Sequence, residues 1–265
     1  MNKTQIEWVQ NSDGSPGFTW NPITGCLNGC EYCYARRLAN TRLFKHYTSN
    51  PNTAPVFSDG KGISTDLADT MDPFYPRFWP GKLEQPLKRT KPAGIFTCDM
   101  SDLFGIGIPE QWTWSVLNFI ERCPQHRFYL LTKQPQNLAK FSPFPDNCWV
   151  GVSATDASMF TRAWAGLKGI QASVKFVSME PLLKWDMSTK DTEFTLQTAG
   201  INWAIIGAQT KPTIMPKIEW VREIVEACDK AGVPVFLKDS LIPLLHKPEN
   251  LDWLPNYRQE MPHEK

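Results

Sequence analysis

Residues Thr19–Ala35 read TWNPITGCLNGCEYCYA, and the rest of the chain is organised around them. Cys26, Cys30 and Cys33 stand in the spacing C-x-x-x-C-x-x-C within a tight, glycine-containing loop. Three thiolates this close in sequence can converge on one metal centre, and thiolate is a soft ligand suited to iron–sulfur clusters or zinc. A cubane [4Fe-4S] cluster has four irons, so three cysteines leave one iron open to something other than protein. An open position makes a reactive site, where a closed ligand set makes a structural one. Ahead of the loop, Phe18–Thr24 reads as a strand that delivers Cys26 at its C-terminal end. Behind it, Tyr34, Leu38 and Arg42 share one face of a helical period, so a helix opens at Tyr34 and runs to Phe44. A site loop between strand and helix is the placement expected of an α/β fold, whose strands present their carboxyl ends to the ligand.

The same alternation continues downstream. Gly94–Cys98, Arg127–Thr132, Cys148–Ser153, Val174–Ser178, Trp203–Gly207 and Val233–Leu237 are short apolar runs bounded by turn signals, as buried parallel strands read. Helical stretches lie between them: Gly81–Arg89, Pro109–Arg122 with proline at its start, Pro135–Phe141, a helix capped by Asp156 and running to about Leu167, and Lys217–Ala231 closed by Gly232. Ile6–Val9 reads as a short strand or extended segment. Residues 47–80 are rich in proline, glycine and aromatics and read as an insertion; its Phe74–Trp79 part suits a lid over a pocket or a packed piece of core. Seven strands separated by helices, with no repeat period and no linker, predict a single-domain α/β protein. Its architecture would be a partial or complete parallel (β/α) barrel over residues 1–246, followed by a polar tail over 247–265.

Composition narrows the function classes. With 265 residues and 42% hydrophobic content the chain is long and apolar enough for a substantial core. No apolar run approaches the roughly 18 residues a membrane helix needs, and no charged-then-apolar leader follows Met1, so no membrane and a cytoplasmic location are expected. Of seven cysteines, three are bunched and Cys98, Cys123, Cys148 and Cys228 are scattered among apolar neighbours, as in a metal protein of a reducing compartment. The net charge of +1 gives no global footprint for nucleic acid. Two local basic stretches remain, Arg36, Arg37, Arg42, Lys45 and His46, and Lys82, Lys88, Arg89 and Lys91; solvated helix faces are the plainer explanation of both. The templates G-x-S-x-G, H-E-x-x-H and the Walker loop are missing, and Gly105 and Gly107 stop short of G-x-G-x-x-G.

The cysteine spacing, with Tyr32 immediately before the last cysteine, resembles the signature of the radical S-adenosylmethionine (SAM) enzymes. TWNPITGC followed by CYA, with DMSDLF, LLTKQP, WVGVS, EPLL and WAIIGAQT downstream, is similar to a radical-SAM-like family common in bacteriophages and of unassigned function. The resemblance runs from about Ile6 to about Leu241. It implies a [4Fe-4S] cluster on Cys26, Cys30 and Cys33, with SAM on the open iron and a one-electron donor of flavodoxin or ferredoxin type. Reduction would cleave SAM to a 5′-deoxyadenosyl radical that abstracts hydrogen from substrate. The phage association further implies a modified base in DNA, an isomerase-type rearrangement of an amino-acid adduct in thymidine hypermodification, and a host cytoplasm as its setting.

The resemblance also implies roles for individual residues. Tyr32 is similar in place to the aromatic that lines the adenine site. The Gly-Gly-Glu segment by which many such enzymes hold the SAM amino group is missing; Thr97, Asp99 and Ser101 occupy the matching place. Lys133, Ser153, Glu180, Gln209 and Lys238 all fall at expected strand ends, where polar side chains face the mouth of a barrel. Lys133, Glu180 and Lys238 are the candidate catalytic residues, Ser153 and Gln209 candidate cofactor contacts. An ion pair of Glu180 with Lys133 or Lys238 is the structural alternative. Two other classes stay open: a radical enzyme acting on a small molecule or peptide, and a zinc-stabilised nucleic-acid-binding module in which His46 would be the nearby fourth ligand.

Overall fold

The structure, a computed structural model, describes residues 1–55 and 71–262. The middle of the expected insertion, 56–70, and the last three residues of the tail lie outside the described residues. The fold is α/β, and every one of the seven expected strand positions carries a strand. The chain packs as two compact units. The first comprises Met1–Gln5, Val9–Gln134 and Pro145–Cys148, the second Ile6–Trp8, Pro135–Phe144 and Trp149–Lys265.

The first unit holds β1 (Asn2–Lys3), β2 (Phe18–Trp20), β3 (Ile23–Thr24), β4 (Arg77–Phe78), β5 (Gly94–Thr97) and β6 (Arg127–Thr132). Its main sheet runs β1-β2-β5-β6. β2, β5 and β6 are parallel, with Trp20 beside Thr97 and Thr97 beside Leu130; β1 joins β2 antiparallel. All four residues of β5 are buried, as in a strand covered on both faces. The expected strand Phe18–Thr24 is broken at Asn21–Pro22, because Pro22 has no N–H to give the ladder. Ile23 and Thr24 pair antiparallel with β4 instead. Prolines also divide the expected helix Gly81–Arg89 into two 3-10 turns, Pro80–Lys82 and Pro86–Lys88. The helix behind Cys33 ends at Ala39 and a second one spans Phe44–Thr48. At that break the Thr41 hydroxyl donates to the Arg37 carbonyl at 2.7 Å, a local bond of the kind that competes with helix continuation.

The second unit holds β7 (Cys148–Ser153) from Trp149 onward, β8 (Val174–Met179), β9 (Trp203–Ile206), β10 (Gln209–Thr210), β11 (Thr213–Ile214) and β12 (Val235–Leu237). The order β7-β8-β9-β12 is parallel throughout, and β10 and β11 form a small hairpin. Trp203 is the centre of its aromatic core. Its ring lies 5.7 Å from Trp149, 5.6 Å from Phe176, 6.0 Å from Phe236 and 6.1 Å from Trp8. Tilted and edge-on aromatic pairs of this kind contribute roughly 0.5–1.5 kcal/mol each beyond area burial. The expected strand or extended segment at Ile6–Val9 is instead a turn at Glu7 and Trp8, and it supplies a core residue, Trp8.

A helix at Thr189–Ala199 has no counterpart in the periodicity of the sequence. Ser188 caps it by accepting from the Asp191 N–H at 3.2 Å, and its hydroxyl donates to the Asp191 carboxylate at 2.7 Å. Thr192, Thr195 and Thr198 have poor helix propensity, and each turns its hydroxyl back to the carbonyl four residues earlier. Asp156 caps its helix as expected, accepting from the Met159 N–H at 2.8 Å. The tail is tied to the sheet: the Leu237 N–H donates to the Arg258 carbonyl at 2.8 Å, and the Trp203 indole N–H to the Glu260 carbonyl at 2.8 Å. Among the described residues no helix is long and apolar enough to cross a membrane.

Candidate functional site

The three-cysteine loop begins at a residue only glycine can occupy. Gly25 has φ +86°, and a Cβ there would stand 2.3 Å from the Tyr75 carbonyl oxygen. Its N–H donates to the Met100 carbonyl at 2.9 Å, and its own carbonyl accepts from Ser101 Oγ at 2.5 Å. The next residue, Cys26, donates its N–H to the Phe74 carbonyl at 2.9 Å. The loop is therefore gripped between the turn that follows β5 and the Phe74–Trp79 segment of the insertion. That segment is itself fixed: Trp79 Nε1 donates to Thr24 Oγ1 at 2.8 Å, and Arg36 pairs with Asp72 at 3.1 Å while lying over the Phe74 ring.

Cys26, Cys30 and Cys33 are half-buried, whereas Cys98, Cys123, Cys148 and Cys228 are buried. Backbone donors meet two of the sulfurs. The Asn28 N–H donates to Cys26 Sγ at 3.4 Å, and the Arg36 N–H to Cys33 Sγ at 3.3 Å, so that Cys33 caps the helix Tyr34–Ala39. Burial, aided by the Asp102 charge, pushes the Cys26 thiol up to about 12, against the opposing Asn28 N–H. Burial also raises Cys30, which the nearby Lys133 ammonium and a hydrogen bond with Tyr32 oppose. Cys26 feels both other thiols, and Cys30 feels Cys33, so the three lie within electrostatic reach of one another. Among the described residues no three or more His, Cys, Asp or Glu side chains are gathered tightly enough to hold a metal ion, these thiols included.

Five other candidates from the sequence belong to this unit. The Lys133 ammonium lies 5.6 Å from the centre of the Tyr32 ring. Asp99 is half-buried: Asn21 Nδ2 donates to its Oδ1 at 2.6 Å and Tyr34 Oη to its Oδ2 at 3.2 Å. Burial raises its carboxyl, and these two bonds oppose the rise. Ser101 pins Gly25, as above. Thr97 stands apart. Its register neighbours are Trp20 and Leu130, it is 1% exposed, and its hydroxyl has no hydrogen-bond partner among the described residues.

The remaining candidates belong to the second unit. Lys238 forms an ion pair with Glu180 and lies 4.0 Å from Glu7, all three partly buried. Glu180 thus has the partner that the structural alternative assigned to it. Burial raises the Glu7 carboxyl, which accepts from the Asp239 N–H at 2.7 Å. Ser153 is buried at the end of β7, in register with Ser178 of β8. Gln209 lies on the β10–β11 hairpin, where its Nε2 donates to the Pro212 carbonyl at 2.9 Å.

Several residues of the two units were not singled out from sequence as site residues: Asn21 and Tyr34 on Asp99, Asn28 within the loop and Gln134 bonded to it, and Glu7 beside Lys238. Asn21, Asn28 and Tyr34 lie inside the opening motif, and that position is the only signal they carry; the contacts come from residues far along the chain.

A family model described as "Protein of unknown function (DUF5131)" matches residues 3–240. No curated protein and no solved structure matches the chain. With nearly its whole length covered by that model, the chain belongs to the DUF5131 family.

Proposed function

We propose that this protein is a cytoplasmic radical SAM enzyme in which Cys26, Cys30 and Cys33 hold a [4Fe-4S] cluster. The observation that carries the reading is the contrast among the cysteines. Those of the loop are half-buried and within electrostatic reach of one another, while the other four are buried. The donor set fits the group: three soft ligands, backbone N–H groups aimed at two of the sulfurs, and a rigid frame from Gly25, Ser101 and Phe74. Binding would draw the thiols together and release their protons. The fold that goes with this reading is the partial or complete parallel barrel of radical SAM type, supported by the parallel pairing within each unit.

When bound, such a cluster would supply an electron from a flavodoxin- or ferredoxin-like donor to SAM, whose carbon–sulfur bond would break to give methionine and a 5′-deoxyadenosyl radical able to take hydrogen from substrate. The chain's own residues bind and orient. Tyr32 offers a ring face for adenine, and the Lys133 side chain reaches to that ring and toward Cys30. Of Thr97, Asp99 and Ser101, only Asp99 carries a carboxylate, half-buried and hydrogen-bonded to Asn21 and Tyr34, and we assign it to the SAM amino group. Glu180 and Lys238, which carry opposite charges, are the proposed catalytic residues, and Ser153 is a proposed cofactor contact. The proposed substrate is a modified base in DNA, with an isomerase-type rearrangement of an amino-acid adduct on thymidine.

Anaerobic purification and reconstitution, with iron, sulfide and zinc measured beside SAM cleavage to 5′-deoxyadenosine, tests the reading. About four irons per chain and cleavage that disappears in Cys30→Ala are expected. Stoichiometric zinc without iron uptake, or full cleavage in Cys30→Ala, overturns it. A deuterium-labelled modified thymidine in DNA tests the substrate through label transfer into 5′-deoxyadenosine, and no transfer removes that part.

A further inference from the structure

Beneath the cysteine loop lies a carboxylate that the reading above does not use. Asp102 is 5% exposed. Its Oδ2 accepts from Asn28 Nδ2 at 2.9 Å and from the backbone N–H of Lys133 at 2.9 Å, and its Oδ1 from the Phe104 N–H at 3.1 Å. Asn28 sits between Cys26 and Cys30 and is held at both ends of its amide, since Gln134 Nε2 donates to its Oδ1 at 2.7 Å. The backbone N–H of this clamped residue is the donor to Cys26 Sγ. On the other side, the bond to the Lys133 N–H fixes the backbone of the residue whose ammonium lies over Tyr32 and near Cys30. One buried group is thus joined to the Cys26 side of the loop through Asn28 and to the Cys30 side through Lys133.

From this geometry we infer that Asp102 is the positioning residue of the three-cysteine loop, setting the loop's shape and the N–H donor to Cys26 before any metal binds. A buried carboxylate with several donors is a stiff anchor, because charge-assisted hydrogen bonds are shorter and stronger than neutral ones. Outer-shell partners of this kind govern how well a metal is held. The inference rests on the iron–sulfur reading of the loop.

The test compares wild type with Asp102→Asn, which keeps the shape but turns an amide N–H toward donors, and with Asn28→Ala, which cuts the arm to the Cys26 side. All three are reconstituted anaerobically. Bound iron and sulfide, the rate of iron loss to a chelator, and the electron paramagnetic resonance spectrum after reduction are recorded, with thermal melting of the metal-free chains. Asp102→Asn should lose iron about ten-fold faster or more, with a shifted spectrum in the reduced protein, and Asn28→Ala should change both readings in the same direction. A folded Asp102→Asn that retains iron as long as wild type and gives the same spectrum overturns the inference. If Asp102→Asn does not fold, Asn28→Ala decides by the same two readings. A wild type that takes up no iron or sulfide fails the reading itself, which separates that failure from one confined to Asp102.

Discussion

Ser101 Oγ donates to the carbonyl oxygen of Gly25 at 2.5 Å, so the turn after β5 holds the residue directly before the first cysteine. Gly25 holds φ +86°, with the Tyr75 carbonyl oxygen 2.3 Å from where a Cβ would stand. Gly25→Ala should therefore cost roughly 3 kcal/mol or more, combining the left-handed penalty with a backbone collision. Gly29 is the control: its φ is +69°, but nothing lies within 4 Å of a Cβ, so Gly29→Ala should cost only about 1–2 kcal/mol. Urea unfolding of the two variants checks the order, and equal losses would contradict it.

Thr97 has a buried hydroxyl without a hydrogen-bond partner among the described residues. Leaving such a group unsatisfied costs about 1–3 kcal/mol, so Thr97→Val, nearly isosteric, should be neutral or raise the melting temperature. The SAM cleavage we propose should be unaffected. A destabilised or inactive Thr97→Val would show that the hydroxyl has a partner in the working protein.

The Glu180–Lys238 pair is partly buried, with side chains 26% and 12% exposed. Removing one member of a fully buried pair costs about 3–5 kcal/mol, and this exposure scales the expectation down to roughly 1–3 kcal/mol. Lys238→Met should be the worse of the two single changes, because it leaves Glu180 and Glu7 facing each other without a cation. A double-mutant cycle with Glu180→Gln in urea measures the coupling; a value near zero would mean the charges are held for a ligand rather than for each other.

His126 is buried, with Nε2 3.1 Å from the Pro86 carbonyl. Burial lowers its pKa below the ordinary 6.5; the Pro86 and Arg89 carbonyls oppose this and the Arg89 charge adds to it. A base depressed in the folded state stays neutral there while the unfolded chain takes up a proton. Its stabilisation is thus complete above 6.5 and is lost as pH falls through the folded value. Urea midpoints measured from about pH 7 down to pH 5 should fall in wild type, and more steeply than in His126→Gln. Parallel profiles would remove His126 as the cause.

All seven strand positions could be read from the sequence, since buried parallel strands announce themselves as continuous apolar runs such as Trp203–Ile206. The cysteine loop was legible for the same local reason: three thiols and two glycines fall within a few residues. The helix Thr189–Ala199 was not. Its threonines oppose it by propensity, and the Ser188 cap together with burial of Thr192, Leu196 and Ala199 overrides them.

Sequence by itself determined the α/β class, the strand positions and the residues offered as ligands, because each is a short-range property of spacing and side-chain chemistry. Only the tertiary structure decided what those residues do for one another. It placed Ser101 on Gly25, Asp102 beneath Asn28, Lys133 over Tyr32, and Glu180 on Lys238 rather than on Lys133. It also set Thr97 between Trp20 and Leu130 in the sheet, with its hydroxyl buried. The reason is distance along the chain. A hydrogen bond or ion pair between residues 28 and 102, or 180 and 238, exists only once parallel strand pairing has set the register that brings their loops together, and no local periodicity encodes that meeting.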